Sequence, residues 1–451
     1  MLNSILIENF KSYKSQRLPL APLTLMIGAN ASGKTNAIEA FRFLSWVVGG
    51  EKLSTIKNRI NDSERIFRGD VRDLVYKGAE SFTLGAEVAG CNFRIGIGSE
   101  NSELFVEQES LFVEGYNDPF GIKPQKKKIY ELEKDPLKRD TASLKRGVVS
   151  IENMNQKTLQ RSTTHLSVLL DSASLPFVLS LALNAEEHNE TDGLFSYMPS
   201  EEPKLMETVL STVSWVFFFD LAPSAMRGDS YPEARLLNTG ANLAGVLYTL
   251  WQQPDQQAHI LEFIQSLPEQ DIKELKFYTD HRGRVELALI ETLGNQDQEQ
   301  SIELLSDGTL RVLAIAAALL SAPEGSTVVI EEVDNGVHPS RAKQLLTTMR
   351  EHAERRNLRL LLSTHNPALM DALPDEALGD VVFCYRDPTD GDSRLVRLSD
   401  LDDYMGLVMQ GSLGQLVTRG IVDRFVKNPV TPEEKKQKAL DWLAMMQGDD
   451  E

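Results

Sequence analysis

Apolar positions along the chain predict short buried strands joined to helices. Leu23–Ile27 is an apolar run of strand length, and residues 35–44 then repeat apolar positions at helical spacing. Two further apolar runs, at 326–330 and 357–362, indicate more buried strands, and Pro367 opens a helix after the second run. Buried strands and helices in this arrangement predict an α/β fold.

The pattern changes in the middle of the chain. Residues 81–151 alternate at strand spacing, which predicts an antiparallel sheet with strands at 82–88, 93–97, 104–106, 111–113, 128–132 and 148–151. From about residue 163 to 280 the spacing is largely helical, with predicted helices at 166–170, 177–183, 205–216, 243–251 and 260–267. Repeated prolines interrupt this region, so we expect a compact helical insertion and not a long coiled coil.

A phosphate-binding motif joins the first buried strand to its helix. Gly28 to Thr35 fits G-x-x-x-x-G-K-[ST] in the strand–loop–helix context that this motif requires. Glycines let backbone N–H groups turn toward a phosphate, and the helix N-terminus adds partial positive charge. Lys34 is expected to reach the β- and γ-phosphates, and Thr35 to ligate Mg²⁺. The predicted nucleotide-binding residues of this segment are Gly28, Asn30, Ala31, Ser32, Gly33, Lys34, Thr35 and Asn36.

Paired acids follow the strand at 326–330. In the Walker B pattern, Glu331 holds Mg²⁺ directly or through water, and Glu332 polarises the attacking water as a general base. Such a pair can also be a solvated strand end, but the phosphate loop in the same chain favours the catalytic interpretation.

Composition limits the classes of function. A chain of 451 residues is long enough for two to three domains, or for one large α/β domain with an insertion. Its two cysteines, Cys91 and Cys384, are far apart, which excludes a cysteine-based zinc site and favours a reducing cytoplasm. We also expect no signal peptide and no membrane span.

The charge balance makes general nucleic-acid binding unfavourable. The formal net charge is −19, whereas neutralising phosphates requires Lys and Arg. Any DNA contact is therefore expected from a partner or from a local patch, such as Lys126–Lys128 with Lys138 and Arg139. A short lysine run is more often a solvated loop.

The N-terminal segments resemble a known family. Ile-Glu-Asn-Phe-Lys-Ser-Tyr at 7–13 and Leu-Thr-Leu-Met-Ile-Gly-Ala-Asn-Ala-Ser-Gly-Lys-Thr-Asn at 23–36 look like the head of ABC-type ATPases of the SMC and RecF group. They are especially similar to bacterial AAA family ATPases related to OLD proteins. The resemblance implies a P-loop ABC-type head with an antiparallel β arm, which hydrolyses ATP with Mg²⁺ in a head-to-tail homodimer or higher homo-oligomer. The expected parts are an N-terminal ATPase lobe at 1–162, a helical insertion at 163–280, a C-terminal ATPase lobe at 281–397 and a helical tail at 398–451.

The resemblance also assigns roles outside the phosphate loop. Lys11 and Ser12 would bind the nucleotide. Ser306 and Gly308, which begin an apolar helix, match the ABC signature that acts on the ATP of the other subunit, although such a segment alone is usually a turn and cap. His365 matches the switch histidine that contacts the γ-phosphate or the attacking water.

Two further segments bear on assembly. Residues 333–339 resemble the D-loop segment at the dimer seam, with Asp334 in place of the usual Glu. The last helix of the tail has one apolar stripe, which either packs on its own domain or docks a partner. Its members are Ala439, Trp442, Leu443 and Met446.

The chain resembles an ATPase without an effector of its own. It is most similar to the PtuA ATPases of Septu antiphage systems, whose partner is a separate HNH nuclease. The PARIS ATPases, paired with a TOPRIM effector, are close to it as well. The alternatives are a RecF- or SMC-like DNA-repair ATPase that binds duplex DNA directly, and a scaffold that uses ATP without hydrolysing it.

Overall fold

The computed structural model describes residues 1–56, 66–100, 102–113, 120–125, 146–151, 164–169, 202–264, 271–293, 296–334 and 339–427. The strands of this part are β1 Leu2–Phe10, β2 Tyr13–Pro19, β3 Leu23–Ile27, β4 Ser81–Val88, β5 Cys91–Glu100, β6 Glu103–Val113, β7 Phe120–Gln125, β8 Arg146–Ile151, β9 Thr164–Leu169, β10 Val216–Phe219, β11 Asp271–Thr279, β12 Val285–Leu293, β13 Gln296–Ser301, β14 Thr327–Ile330, β15 Arg359–Ser363, β16 Val382–Arg386 and β17 Ser393–Arg397. The α-helices are α1 Lys34–Val48, α2 Glu202–Ser214, α3 Pro223–Met226, α4 Leu243–Trp251, α5 Pro254–Ile264, α6 Asp307–Ser321, α7 Pro339–Arg355, α8 Pro367–Asp371, α9 Tyr404–Val408, α10 Leu413–Thr418 and α11 Ile421–Lys427.

A six-stranded sheet in the order β10-β14-β15-β3-β16-β17 forms the centre of the molecule. Its first five strands run parallel, and β17 pairs antiparallel with β16 at the edge. Since parallel strands present their carboxyl ends at one edge, the segments after β3, β14 and β15 meet there. The α/β prediction is confirmed, and those segments contain the phosphate loop, the acid pair and His365.

Both faces of the central sheet are buried. In β14, Val328 and Ile330 belong to one apolar cluster, which includes α4, α5 and α6, whereas Val329 belongs to the other, which includes α1 and the second sheet. Strands covered on both faces need continuous apolar runs. This requirement explains why these strands read as unbroken hydrophobic segments.

The second sheet is antiparallel, with eight strands in the order β2-β1-β4-β5-β6-β7-β8-β9. Where the sequence predicts two short strands at 104–106 and 111–113, the structure has the single strand β6. The pairing of β6 with β5 shifts register between Gly96 and Ile97, which leaves Glu107 as an extra residue in β6. This bulge, within the polar run Glu107–Glu109, breaks the alternation that the prediction depends on. The predicted strand at 128–132 lies outside the described residues.

The described part of the predicted helical insertion contains strands as well as helices. The predicted helix at 166–170 is instead the strand β9, which pairs antiparallel with β8. Strand β10 enters the central sheet beside β14, and α4 and α5 pack against α6. Periodicity alone cannot separate a short buried strand such as β10 from a buried helix. Strand β10 and helices α4 and α5 are therefore part of the same packing unit as the central sheet, and the domain boundaries stay a prediction.

The length and composition of the helices bear on the expectation of no membrane span. Among the described residues, none of the helices combines the length and the apolar composition that crossing a bilayer requires.

Arg356 connects the ends of two helices. Its guanidinium donates to the carbonyl oxygens of Leu319, Leu320 and Ala322 at distances of 2.6, 2.9 and 2.8 Å. These carbonyls belong to the end of α6, where the last turn has no intrahelical donors. Arg356 thus fixes the end of α6 to the end of α7.

We expect Arg356→Ala to lower the free energy of unfolding by roughly 2–3 kcal/mol, because half-buried carbonyl groups lose a charged donor. Arg341→Ala on the same helix removes only an exposed contact with Gln344, so its effect should stay within about 0.5 kcal/mol. Urea unfolding of both variants measures the difference. Equal effects would contradict the assigned role.

Candidate functional site

Close packing requires glycine at two positions of the phosphate loop. Gly28 has φ 146° and Gly33 has φ 121°, a region that favours glycine. A Cβ at Gly28 would lie 2.1 Å from the carbonyl oxygen of Cys384, and a Cβ at Gly33 would lie 2.3 Å from Oγ of Ser393. The loop therefore lies directly against strands β16 and β17.

Hydrogen bonds hold the loop in this position. The Ser393 hydroxyl donates to the carbonyl oxygen of Ser32 at 2.7 Å and lies 2.8 Å from the Ser12 hydroxyl. The buried Tyr13 hydroxyl donates to the carbonyl oxygen of Gly33 at 3.0 Å, and Asn36 donates to Ser12 at 2.8 Å. The start of β2 and the edge strand β17 therefore hold the loop backbone together.

Lys34 lies over the loop that precedes it. Its Nζ donates to the carbonyl oxygens of Gly28 and Ala29 at 2.6 and 3.0 Å. Burial lowers the pKa of Lys34, an effect that the nearby Cys384 thiol and Glu332 carboxylate oppose. The ammonium thus provides a positive charge at the mouth of the loop, where the motif requires it.

The acid pair extends from the end of β14. Arg42 of α1 lies 3.2 Å from Oε1 of Glu331. Burial raises the pKa of Glu331, an effect that Arg42 opposes and Asp220 reinforces. Glu332 is exposed and has a left-handed backbone, φ 49°, and its N–H donates to Oγ of Ser363 at 3.1 Å. Positive φ is unfavourable for a residue with a Cβ, and such strain concentrates at functional sites.

A cavity of about 340 Å³ brings these groups together. It is lined by ten residues predicted from the sequence, which are Asn30, Ala31, Ser32, Gly33, Lys34, Thr35, Asn36, Glu331, Glu332 and His365. The predicted phosphate loop, acid pair and histidine therefore surround one space. The tight backbone cradle fits the phosphates of a nucleotide, and the oxygens of Thr35 and Glu331 are the ligand type that Mg²⁺ prefers.

The structure pairs Lys11 with an acidic residue, and its expected role in nucleotide binding stays a prediction. Its ammonium forms an ion pair with the buried Glu39 and donates to the carbonyl oxygen of Arg68 at 2.8 Å. Lys11 is not among the residues that line the cavity. A buried ammonium is stable only with such a partner, and this pairing holds it away from the loop. Ser12 contacts Asn36 and Ser393, so it positions the loop and does not line the cavity itself.

The predicted signature segment faces outward, at a separate place. Ser306 is exposed and caps α6, accepting a hydrogen bond from the N–H of Thr309 at 3.1 Å. Arg227 braces the segment through an ion pair with Asp307 and a 2.6 Å hydrogen bond to the carbonyl oxygen of Leu305. Neither Ser306 nor Gly308 lines the cavity. Their predicted action on the ATP of another subunit stays a prediction.

Several predictions lie wholly or partly outside the described residues. They concern the basic patch at 126–139, the D-loop segment at 335–338 and the last helix of the tail, within 428–451. Asp334, at the start of the D-loop segment, is buried.

Arg386 is the main cavity residue that the sequence analysis missed. It ends β16, lines the cavity, and donates from Nε to the carbonyl oxygen of Ala31 at 3.1 Å. Ser363 and Thr364 were missed as well, although they directly precede His365. The signal was present, because Arg386 follows an apolar run and so occupies a strand end, as Glu331 and His365 do.

Comparisons with known families place matches on both halves of this site. Residues 1–165 match the family "AAA ATPase domain", and residues 213–371 match "AAA domain, putative AbiEii toxin, Type IV TA system". A stretch of 95 residues is 34% identical to the DNA replication and repair protein RecF of Carboxydothermus hydrogenoformans, covering 21% of this chain and 22% of that protein. The aligned part thus spans about a fifth of the length of RecF.

Solved SMC head domains are distant neighbours. The SMC head domain from Thermotoga maritima has a TM-score of 0.36 and 14% identity, over 88% of this chain and 98% of that chain. A second neighbour is the Smc head domain with an extended coiled coil bound to the C-terminal domain of ScpA, from Pyrococcus furiosus. Its TM-score is 0.43 and its sequence identity is 15%, over 91% of this chain and 98% of that chain. The SmcHead bound to the C-winged helix domain of ScpA has a TM-score of 0.43 and 12% identity, over 88% of this chain and 96% of that chain. Scores of this size carry no weight in the assignment below.

The two family matches fall on the two segments that the central sheet joins around the cavity. Both matched families are AAA domains, and together with the phosphate loop they support an ATP-hydrolysing P-loop ATPase. Over its 95 aligned residues the chain is also similar to RecF.

We expect Arg386→Ala to weaken ATP binding roughly tenfold, because the cavity loses a cation and the loop loses a donor to Ala31. Arg394→Ala is the matched control, since Arg394 lies on the neighbouring strand and pairs with Asp387 and Asp390. Titration calorimetry with a slowly hydrolysed ATP analogue measures both affinities. The assignment fails if the two variants bind equally well.

Proposed function

We propose that this ATPase is the regulatory subunit of an antiphage defence complex and controls a separate HNH or TOPRIM nuclease. The AbiEii and toxin–antitoxin description of the family that matches residues 213–371 supports a role in defence. The resemblance to PtuA ATPases supports a nuclease as the controlled partner. In this proposal, ATP occupancy determines the assembly state, and assembly controls the nuclease.

The observation that carries the proposal is the separation of the two halves of the site. The cavity collects the phosphate loop, the acid pair and His365, whereas Ser306 is exposed at the start of α6 and absent from its lining. A hydroxyl, a glycine amide and a helix N-terminus together suit a γ-phosphate. We infer that a second copy presents Ser306 and Gly308 to this cavity in a head-to-tail homodimer.

Each cavity residue has a role in this scheme. Lys34 and the loop N–H groups bind the phosphates, and Glu332 accepts a proton from the attacking water. His365 contacts that water or the γ-phosphate. Thr35 and Glu331 would hold Mg²⁺, which neutralises charge on the transferring phosphoryl group.

Glu332→Gln should retain ATP and lower hydrolysis by at least about 100-fold, because the general base is lost. We expect ATP to produce a stable dimer of this variant. Adding Ser306→Arg should abolish the dimer while each single chain still binds ATP in its own cavity, whereas adding Lys34→Ala should abolish both the dimer and ATP binding. Light scattering and nucleotide titration measure these outcomes. Wild-type turnover by Glu332→Gln would disprove the base assignment, and an ATP-dependent dimer of Glu332→Gln/Ser306→Arg would disprove the composite site.

A second candidate function is DNA repair with direct binding to duplex DNA. The 34% identity to RecF over 95 residues favours it, whereas the net charge of −19 opposes it. The isolated chain should show no salt-dependent affinity for duplex DNA if defence is correct. In cells carrying the neighbouring genes, Lys34→Ala should restore phage plaques to the level of cells without the genes. Salt-dependent DNA binding together with unchanged plaques would favour the repair function.

A further inference from the structure

A cluster of two histidines and one glutamate connects two helices away from the ATP cavity. His259 and Glu262 are three residues apart on α5, and His352 lies near the end of α7. Their ligand atoms all lie within 4.8 Å of one another. Neither the phosphate loop nor the signature segment contributes to this cluster.

The spacing of the cluster suits a small metal ion. Nε2 of His352 lies 3.1 Å from Oε2 of Glu262, and Nδ1 of His259 lies 3.7 Å from the same oxygen. Ligands at the usual zinc distances of roughly 2.0–2.1 Å form a tetrahedron with edges of about 3.3 Å. Two of the three distances between ligand atoms are therefore already close to the edge length of a tetrahedral site. Small side-chain rotations would bring the third distance, between the two histidine nitrogens, to a similar length.

The surroundings prepare these side chains for ligation. His352 is 1% exposed and stacks on Phe263, with ring centroids 4.9 Å apart. Arg355 lies 4.0 Å from Oε1 of Glu262, so the other carboxylate oxygen is directed to the histidines. Such outer contacts typically orient metal ligands.

We propose that His259, Glu262 and His352 form a binding site for a divalent transition metal, Zn²⁺ in particular. Two imidazoles and one carboxylate are a donor set that zinc accepts, with a solvent position left for a fourth ligand. His259 is 33% exposed, so this side of the site is open to water. Mg²⁺, the ion expected beside ATP, prefers sites made of oxygen ligands only. The two imidazole nitrogens of this cluster therefore favour zinc over Mg²⁺.

The position of the site gives the metal a defined structural effect. Along the chain, helix α7 connects β14 to β15. The acid pair follows the end of β14, and His365 follows the end of β15. Helix α5 packs against both α6 and α7. A metal bound between α5 and α7 thus fixes the helix that joins the two catalytic strands, without contacting the nucleotide.

The test uses the full chain without an affinity tag and without ATP. After equilibrium dialysis against Zn²⁺, mass spectrometry should find one zinc ion per chain. His259→Ala and Glu262→Gln, whose side chains are partly exposed, should each weaken zinc binding at least about tenfold. His281→Ala, which changes an exposed histidine on a turn, is the matched control and should bind zinc normally. Co²⁺ should give the visible bands of tetrahedral coordination in the wild type and lose them in His259→Ala.

Two results would overturn the proposal. One is the absence of stoichiometric zinc, in which case the cluster is a hydrogen-bonded contact between helices. The other is zinc binding that survives both His259→Ala and Glu262→Gln but disappears in Glu331→Gln, which would locate the metal at the ATP cavity. Urea unfolding adds an independent measurement, because Zn²⁺ should raise the unfolding midpoint of the wild type and not that of His259→Ala.

Discussion

The close contact between the phosphate loop and the β16–β17 edge is the constraint on which the site depends. Gly28 and Gly33 touch atoms of Cys384 and Ser393, which are more than 350 residues away in sequence. No side chain larger than hydrogen fits at either contact. The loop conformation is therefore imposed from outside the motif, by strands that complete the sheet near the end of the described chain.

This contact explains why the two ends of the chain must fold together. Strand β3 pairs with β15 on one side and β16 on the other. The acid pair and His365 reach the loop only because β15 pairs with β3 and β14 pairs in turn with β15. Assembly of the cavity is thus a consequence of sheet order, and no single segment forms it alone.

Much of the site was predictable from the sequence, since its chemistry lies at strand ends. Val328–Ile330 and Leu360–Leu362 are continuous apolar runs, which predict strands buried on both faces of a sheet. The polar residues that follow these runs are the catalytic candidates. Strand β10 was not predictable in this way, because four apolar residues fit a helix or a strand equally well. The surroundings of Lys11 were not predictable either, because a motif gives the order of residues but not their ion-pair partners. Only the fold shows that Glu39 lies beside it.

One face of α1 connects the opposite sides of the cavity. Lys34 begins the helix, Ile38 lines the cavity one turn later, and Arg42 reaches Glu331 after a second turn. Arg42 thus serves as the counter-ion of Glu331 whenever no metal is bound. A cation that binds Glu331 competes with a charge already in place, so weakly charged monovalent ions are at a disadvantage. A divalent ion held by Glu331 would therefore replace Arg42 as the counter-ion of this carboxylate.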